Sequence, residues 1–439
     1  MNHFHRHRER WSLRQLIVAA TASAALLLGY RASPVLAAAG NLDPTFDGDG
    51  IRVVNLLGDD RGQGVALQKD GKIVVAGYTN AAGSNDFAAV RLNSNGTLDP
   101  TFVPVNNGGQ LSGGIQIVRQ SGDDRGQAVV IQADGKIVIA GYTNLFNNND
   151  FMIVRLNTNG TLDLGFNNGG IQIVRQSGDD RGQAVVIQAD GKIVVAGYTN
   201  IFGNNDFMIV RLNTNGTLDL SFNNGGIQIL NQPGDNRGQG VALQADGRII
   251  VAGYSNVFDP NDFMVARLTT SGLLDLAFGN RGLRITGLSG NDQGRAVKVQ
   301  TDGKIVIAGF TNTFDPNDFL VMRLTANGNL DTTFDRDGIA LASLSGNDQG
   351  QAVAIQTNGQ IVVAGSTNTF GLSDVMVARF TANGSLDASF GSRGIIAQGL
   401  SGNNFAQAVA LQTDGKIVAA GSTDTFNVSD FEVMRLLGQ

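Results

Sequence analysis

From residue 51 onward, apolar and polar positions come in short bursts separated by Gly, Asn and Asp. One stretch reads GQAVVIQ (126–132), KIVIAGYT (136–143), DFMIVRLN (150–157) and, after the turn NGTLDLGF, IQIVRQ (171–176). Runs of this length, rich in β-branched and aromatic residues and bounded by turn formers, predict β-strands. No 3.6-residue apolar period appears, and Gly interrupts every stretch, which argues against helix. The second and third runs are apolar on both faces, as in Ile137-Val138-Ile139-Ala140. Such strands must be covered on both sides. The fourth alternates, with Ile171 and Ile173 set against Gln172 and Gln176, and suits a half-exposed outer strand.

The four-strand unit recurs. Its DGK turn appears at Asp70, Asp134, Asp190, Asp246 (as DGR), Asp302 and Asp414, with Asn358-Gly359-Gln360 as the sixth copy. The first interval is 64 residues and each later one is 56, the difference being an eight-residue insertion near 103–114. A four-stranded sheet covered on both faces by its neighbours is a propeller blade, and seven copies fall within the usual blade count. The ends of the chain agree. It enters on a fourth-type strand, Ile51–Leu57, and leaves on the first three strand types of the seventh copy, near Phe405–Leu436. One strand from one end and three from the other would close the ring and leave no free edge. The expected fold is therefore an all-β, seven-bladed propeller of four-stranded antiparallel blades. A linear solenoid is the alternative, although no distinct caps are visible.

The N-terminus changes the picture of location. Residues 1–15 are basic, Leu16–Leu28 is largely apolar, and small residues follow at Ala37, Ala38 and Ala39. This order predicts a secretory signal over 1–37, with the repeat domain occupying 38–439. The mature protein is then expected outside the cytoplasm, whether secreted, periplasmic or at the cell surface, without membrane insertion. An uncleaved anchor is the alternative, against which the apolar run is short. Loss of 1–37 removes five Arg and one Glu and moves the net charge from −6 to −10. That balance argues against nucleic acid as a partner. The chain has no Cys, and its only Trp (Trp11) and all three His (His3, His5, His7) lie in the signal. The mature chain would thus lack the commonest general base and the best nucleophile. A monomer is the default expectation.

The motifs Leu42-Asp43-Pro44-Thr45-Phe46, Gly240–Gly253 and Asn261–Leu268 resemble the Delta-60 repeat family of bacterial exported proteins over about residues 41–439. They are also similar to the wider NHL and six-bladed-lactonase style of blade. The resemblance implies a propeller-like fold and offers no catalytic residues to carry over.

Three polar positions repeat in all seven copies: the third-strand Asp (Asp86, Asp150 and equivalents), the third-strand Arg (Arg91, Arg155 and equivalents) and the LD aspartate (Asp43, Asp99 and equivalents). A catalytic residue needs one unique environment, so these are expected to serve the blade. Asp would bond nearby turn amides, and Arg would pair with a carboxylate between sheets. Phe46, Phe102 and their equivalents read as packing plugs. Asp47, Asp49, Asp335 and Asp337 sit in Gly-rich turns that could take Ca²⁺ through oxygen ligands. They lack the full loop spacing, and turn formation alone accounts for them equally.

With the first strand innermost, the fourth-to-first and second-to-third loops would share one face, where binding residues tend to collect. Arg61, Arg125, Arg181 and Arg237 mark four of the first set, while Gln293, Gln349 and Phe405 replace them in the other three. Phe146, Phe202, Phe258 and Phe314 mark the second set. A four-Arg arc could hold an anionic ligand, unless each Arg pairs with its own neighbouring Asp. Two functions follow: an exported binding or scaffold module for a protein or glycan, or a propeller hydrolase or lyase with a Ca²⁺ or carboxylate site at the channel mouth. The absence of an unrepeated acid–base pair favours the first.

Overall fold

The computed structural model describes residues 38–103, 113–258, 260–313, 316–425 and 428–439. Residues 1–37, where a secretory signal is expected, residues 104–112 of the region that carries the insertion, and two loop phenylalanines, Phe314 and Phe426, lie outside the described residues.

Seven four-stranded antiparallel sheets follow one another, each hydrogen-bonded in the order first, second, third, fourth strand. In blade two the strands are Asp124–Ile131, Ile137–Thr143, Asp150–Leu156 and Ile171–Val174. Every second strand is buried along its whole length, and the third strands nearly so, while the fourth are only partly covered. This is the burial order expected from their apolar patterning.

The seventh blade closes the ring. Ile51–Val54 pairs with Asp430–Leu436, Ile51 opposite Met434 and Val54 opposite Phe431. The strand is three residues shorter than the apolar run suggested, because Leu57 turns out to solvent at φ 74°. A second lock lies beside it. Arg435 Nε donates to Asp43 Oδ2 at 2.8 Å, and its Nη1 donates to the carbonyl of Ser94 in blade one.

That lock is the local form of a repeated device. In blade two, Arg155 Nε donates to Asp163 at 2.7 Å, its guanidinium lies 4.5 Å from the centre of the Phe166 ring, and Nη1 donates to the Thr214 carbonyl of blade three. The DGK lysine joins the same carboxylate, with Lys136 2.9 Å from Asp163. Burial raises the pKa of such an aspartate, but hydrogen bonds and two cations outweigh it. At Asp331, the Thr333 hydroxyl and amide with Lys304 and Arg323 bring the carboxyl down to about 2. The plugs Phe46, Phe102, Phe166, Phe222, Phe278, Phe334 and Phe390 are fully buried. The repeated Arg, LD Asp and Phe therefore bind blade to blade.

The apolar cores lie between blades, not within them. Val138, Ala140, Phe151 and Ile153 of blade two pack on Val195, Met208 and Val210 of blade three, and the same seam recurs around the ring. Each first strand is innermost and carries a bulge. In blade two the register slips between Gly126 and Ala128, leaving Gln127 out of the ladder. Facing the bulge is Gly141, where a Cβ would stand 2.0 Å from the Arg125 carbonyl oxygen. Only Gly allows the strands to approach so closely there.

Candidate functional site

The two loop sets share one face because they bond to each other. The side-chain oxygen of Asn80, which follows the second strand, accepts the N–H of Asp59 before the first strand at 2.6 Å. Asn144 with Asp123 and Asn200 with Asp179 repeat the contact. Adjacent blades are stitched as well, with Asn205 Nδ2 donating to Asp235 of the next blade.

On this face the four arginines are paired. Arg61 lies 3.4 Å from Asp59, Arg125 3.0 Å from Asp123, Arg181 3.2 Å from Asp179 and Arg237 3.0 Å from Asp235. Three also stack on the preceding blade's tyrosine, Arg125 over Tyr78 at 5.3 Å, Arg181 over Tyr142 at 5.2 Å and Arg237 over Tyr198 at 5.4 Å. Each guanidinium thus has its own carboxylate, and the arc is not an uncompensated cationic patch. The phenylalanines differ. Phe202, Phe258 and Phe370 are 58, 71 and 70 % exposed, and Phe146 is 41 % exposed beneath the guanidinium of Arg175 at 3.9 Å. Leu57 and Leu372 add exposed apolar surface on the same face.

The acidic turns lie at the opposite end of the blades. Asp47 pairs with Arg52 at 3.2 Å, while Asp49 and Asp337 each accept a backbone N–H two residues on at 2.9 Å. Asp335 has φ 43° and donates its own N–H to Asn383. The structure does not bring the two turns together. Among the described residues, no group of three or more His, Cys, Asp or Glu is placed to hold a metal ion.

A different carboxylate pattern occupies the blade junctions. The third-strand Asp of one blade meets the residue that opens or immediately precedes the next blade's first strand: Asp86 with Asp124, Asp262 with Asp292, and so on around the ring. Expected to bond turn amides, these third-strand aspartates mostly do not. Asp86 and Asp150 have an arginine instead, Arg119 at 3.4 Å and Arg175 at 3.6 Å. Asp206 and Asp374 face amides, Asn236 and Asn404, in place of acids. At the other junctions two carboxyls meet with no neighbouring cation among the described residues. Asp262 Oδ1 and Asp292 Oδ2 both reach the point where a Cβ on Gly287 would sit, placing them no more than about 5 Å apart. At Asp60, burial and the facing Asp430 outweigh bonds from Thr79 and Leu56, and the pKa rises to about 6.

Along the axis, the first strands of all seven blades enclose a cavity of about 310 Å³. The bulge residue of six blades lines it as a ring of glutamines: Gln63, Gln127, Gln183, Gln239, Gln351 and Gln407. Blade five breaks the ring with Arg295, and adds Lys298 where the other blades carry Ala or Val. Neither residue stood out in the sequence analysis, although lining up the seven copies position by position exposes both. The same alignment exposes Glu432, which stands where the other third strands carry Ala, Met or Leu. It is 2 % exposed, neither carboxyl oxygen has a partner among the described residues, and burial with the nearby Asp374 pushes its pKa up to about 8. It lies in the seam between blades six and seven and cannot reach a substrate in solvent.

No curated protein matches the chain. Among solved structures, similar folds include YCF48 bound to a D1 peptide (10 % identity, 93 % of this chain and 100 % of that one, TM-score 0.48). The polysaccharide lyase Uly1 is another (11 %, 86 % and 90 %, TM-score 0.48), as is Drosophila Plexin A in complex with Semaphorin 1b (9 %, 91 % and 88 %, TM-score 0.44). A family model described as a β-propeller domain of unknown function, DUF5122, matches residues 68–102, 132–166, 188–222, 244–278, 300–334, 356–390 and 412–438. These seven matches, one in each repeat, cover more than half of the sequence, and the chain belongs to the DUF5122 β-propeller family.

Proposed function

We propose that this protein is an exported binding propeller that holds a protein partner on its loop face. One observation carries the reading. A chain that buries its seven plug phenylalanines completely leaves Phe146, Phe202, Phe258 and Phe370 exposed on one rim. Aromatic side chains displayed on rigid, mutually bonded loops are the usual anchors of a protein interface. Because they stand on different blades, a single small ligand cannot engage them together, whereas a polypeptide surface can. The Arg–Asp pairs among them supply a polar rim. Export rests on the order of residues 1–39. A hydrolytic reading has less support, since the carboxyls whose pKa values rise furthest, Glu432, Asp60 and Asp180, are all buried where blades meet. The motif likeness to Delta-60 repeats accords with export but names no partner.

The test is selection of a random peptide display library on the purified protein. Selected peptides should lose at least about tenfold in affinity when Phe202, Phe258 and Phe370 are changed to Ser. These residues are exposed, so melting should barely move. Peptides that bind the variant as well as the original protein, or a protein that selects no peptides but retains glycans from an array, would overturn the assignment.

A further inference from the structure

The axial cavity has a chemical character the rest of the molecule lacks. The protein is acidic overall, at −6, yet among the described residues the cavity wall holds two cations and no carboxylate. Both come from the first strand of blade five, Gln293–Val299. Arg295 is held in place. Its guanidinium lies 5.7 Å from the Tyr254 ring and 5.2 Å from the Phe310 ring, and Nη2 donates to Gln293 Oε1 at 2.7 Å. Its Nε is buried without a partner. It therefore covers the preceding blade's tyrosine, as Arg237 covers Tyr198, but without the Asp that pairs with Arg237. Lys298 makes no ion pair with any described residue. Water reaches its side chain, yet protein surrounds it, and this confinement lowers its pKa.

Cations confined without counter-ions favour an incoming anion, and more strongly than at an open surface. The remaining polar wall is the glutamine ring. Carboxamides both donate and accept hydrogen bonds, which suits hydroxyl groups. The volume is at the lower end of small-molecule sites and admits one compact ligand. We propose that the axial cavity is a binding site for a small anionic polyol. Its acid group is held by Lys298 and Arg295 of blade five, and its hydroxyls by the glutamines of the other blades. The site is independent of the loop face and of any partner there.

The repeat supplies its own controls. Lys298→Ala installs the residue found at Ala66, Ala242, Ala354 and Ala410, and Arg295→Gln completes the ring, so both variants should fold. Binding of D-gluconate, D-glucose 6-phosphate and neutral D-glucose to the full-length protein would be measured by calorimetry. At least one anion should bind, glucose should not, and Lys298→Ala should weaken the anion at least about tenfold. The double variant should abolish binding while still capturing loop-face peptides. Gluconate binding without the phosphate, or the reverse, identifies which acid the site takes. If neither anion binds at millimolar concentration, if glucose binds equally well, or if Lys298→Ala binds like the original protein, the proposal is wrong.

Discussion

Replacing Glu432 by Met should stabilise the protein, and by an amount that depends on pH. Met occupies this position at Met152, Met208, Met264 and Met376, so the seam is already shaped for it. In the folded state the Glu432 carboxyl titrates at about 8, against an ordinary glutamate value of 4.5. An acid with a raised folded pKa favours folding while it is protonated. That contribution is complete below about pH 4.5 and is lost progressively until the pH passes about 8. At pH 7 the unfolded chain gains from ionisation and the folded one does not, a difference of about 3 kcal/mol. Two unpartnered carboxyl oxygens add a cost at every pH. Urea midpoints of the original protein and of Glu432→Met, taken from pH 4.5 to 8.5, form the assay. The gap between them should widen as pH rises and flatten above 8. A constant gap would mean that Glu432 does not titrate as a buried acid. A variant less stable at pH 8 would refute the reasoning.

Other consequences follow from the repeat. Asp60→Asn, which installs the residue native at Asn236 and Asn404, should raise the melting temperature above pH 6 and leave it nearly unchanged near pH 4, because Asp60 titrates at about 6. Gly141→Ala should cost about 1–3 kcal/mol in a denaturant titration, since its Cβ meets the Arg125 carbonyl. Arg267→Ala leaves the buried Asp275 without its 2.8 Å partner and strips the guanidinium from Phe278; a loss of about 3 kcal/mol is expected in the same titration. Secreted protein should show tyrosine emission alone, because the only Trp is Trp11; tryptophan emission would mean that the leader is retained.

Much of the fold was legible because each blade repeats the same physical instructions. Fully apolar second and third strands require cover on both faces, and the one-plus-three strand deficit at the ends requires closure. Ile51 opposite Met434 is that closure. The site was less legible because repetition and asymmetry give opposite signals. The four-Arg arc drew attention by its contrast with Gln293, Gln349 and Phe405, yet each arginine is paired to an aspartate two residues away. The informative departures, Arg295, Lys298 and Glu432, are single substitutions within well-matched strands. Their consequence depends on whether a position faces the axis or a seam, and the bulge at the first strand shifts that assignment by one residue. The junction carboxylates were hidden for a related reason, since Asp86 and Asp124 belong to different repeats and meet only across a blade interface.

The most direct test of the binding assignment is hydrogen exchange of the protein with and without a display-selected peptide. Binding at the loop face predicts slowed exchange in the segments 80–85, 144–149, 200–205 and 368–373, with no change at the DGK turns or around the exposed Leu164, Leu220 and Leu276 at the other end. Slowed exchange confined to that opposite end would contradict it.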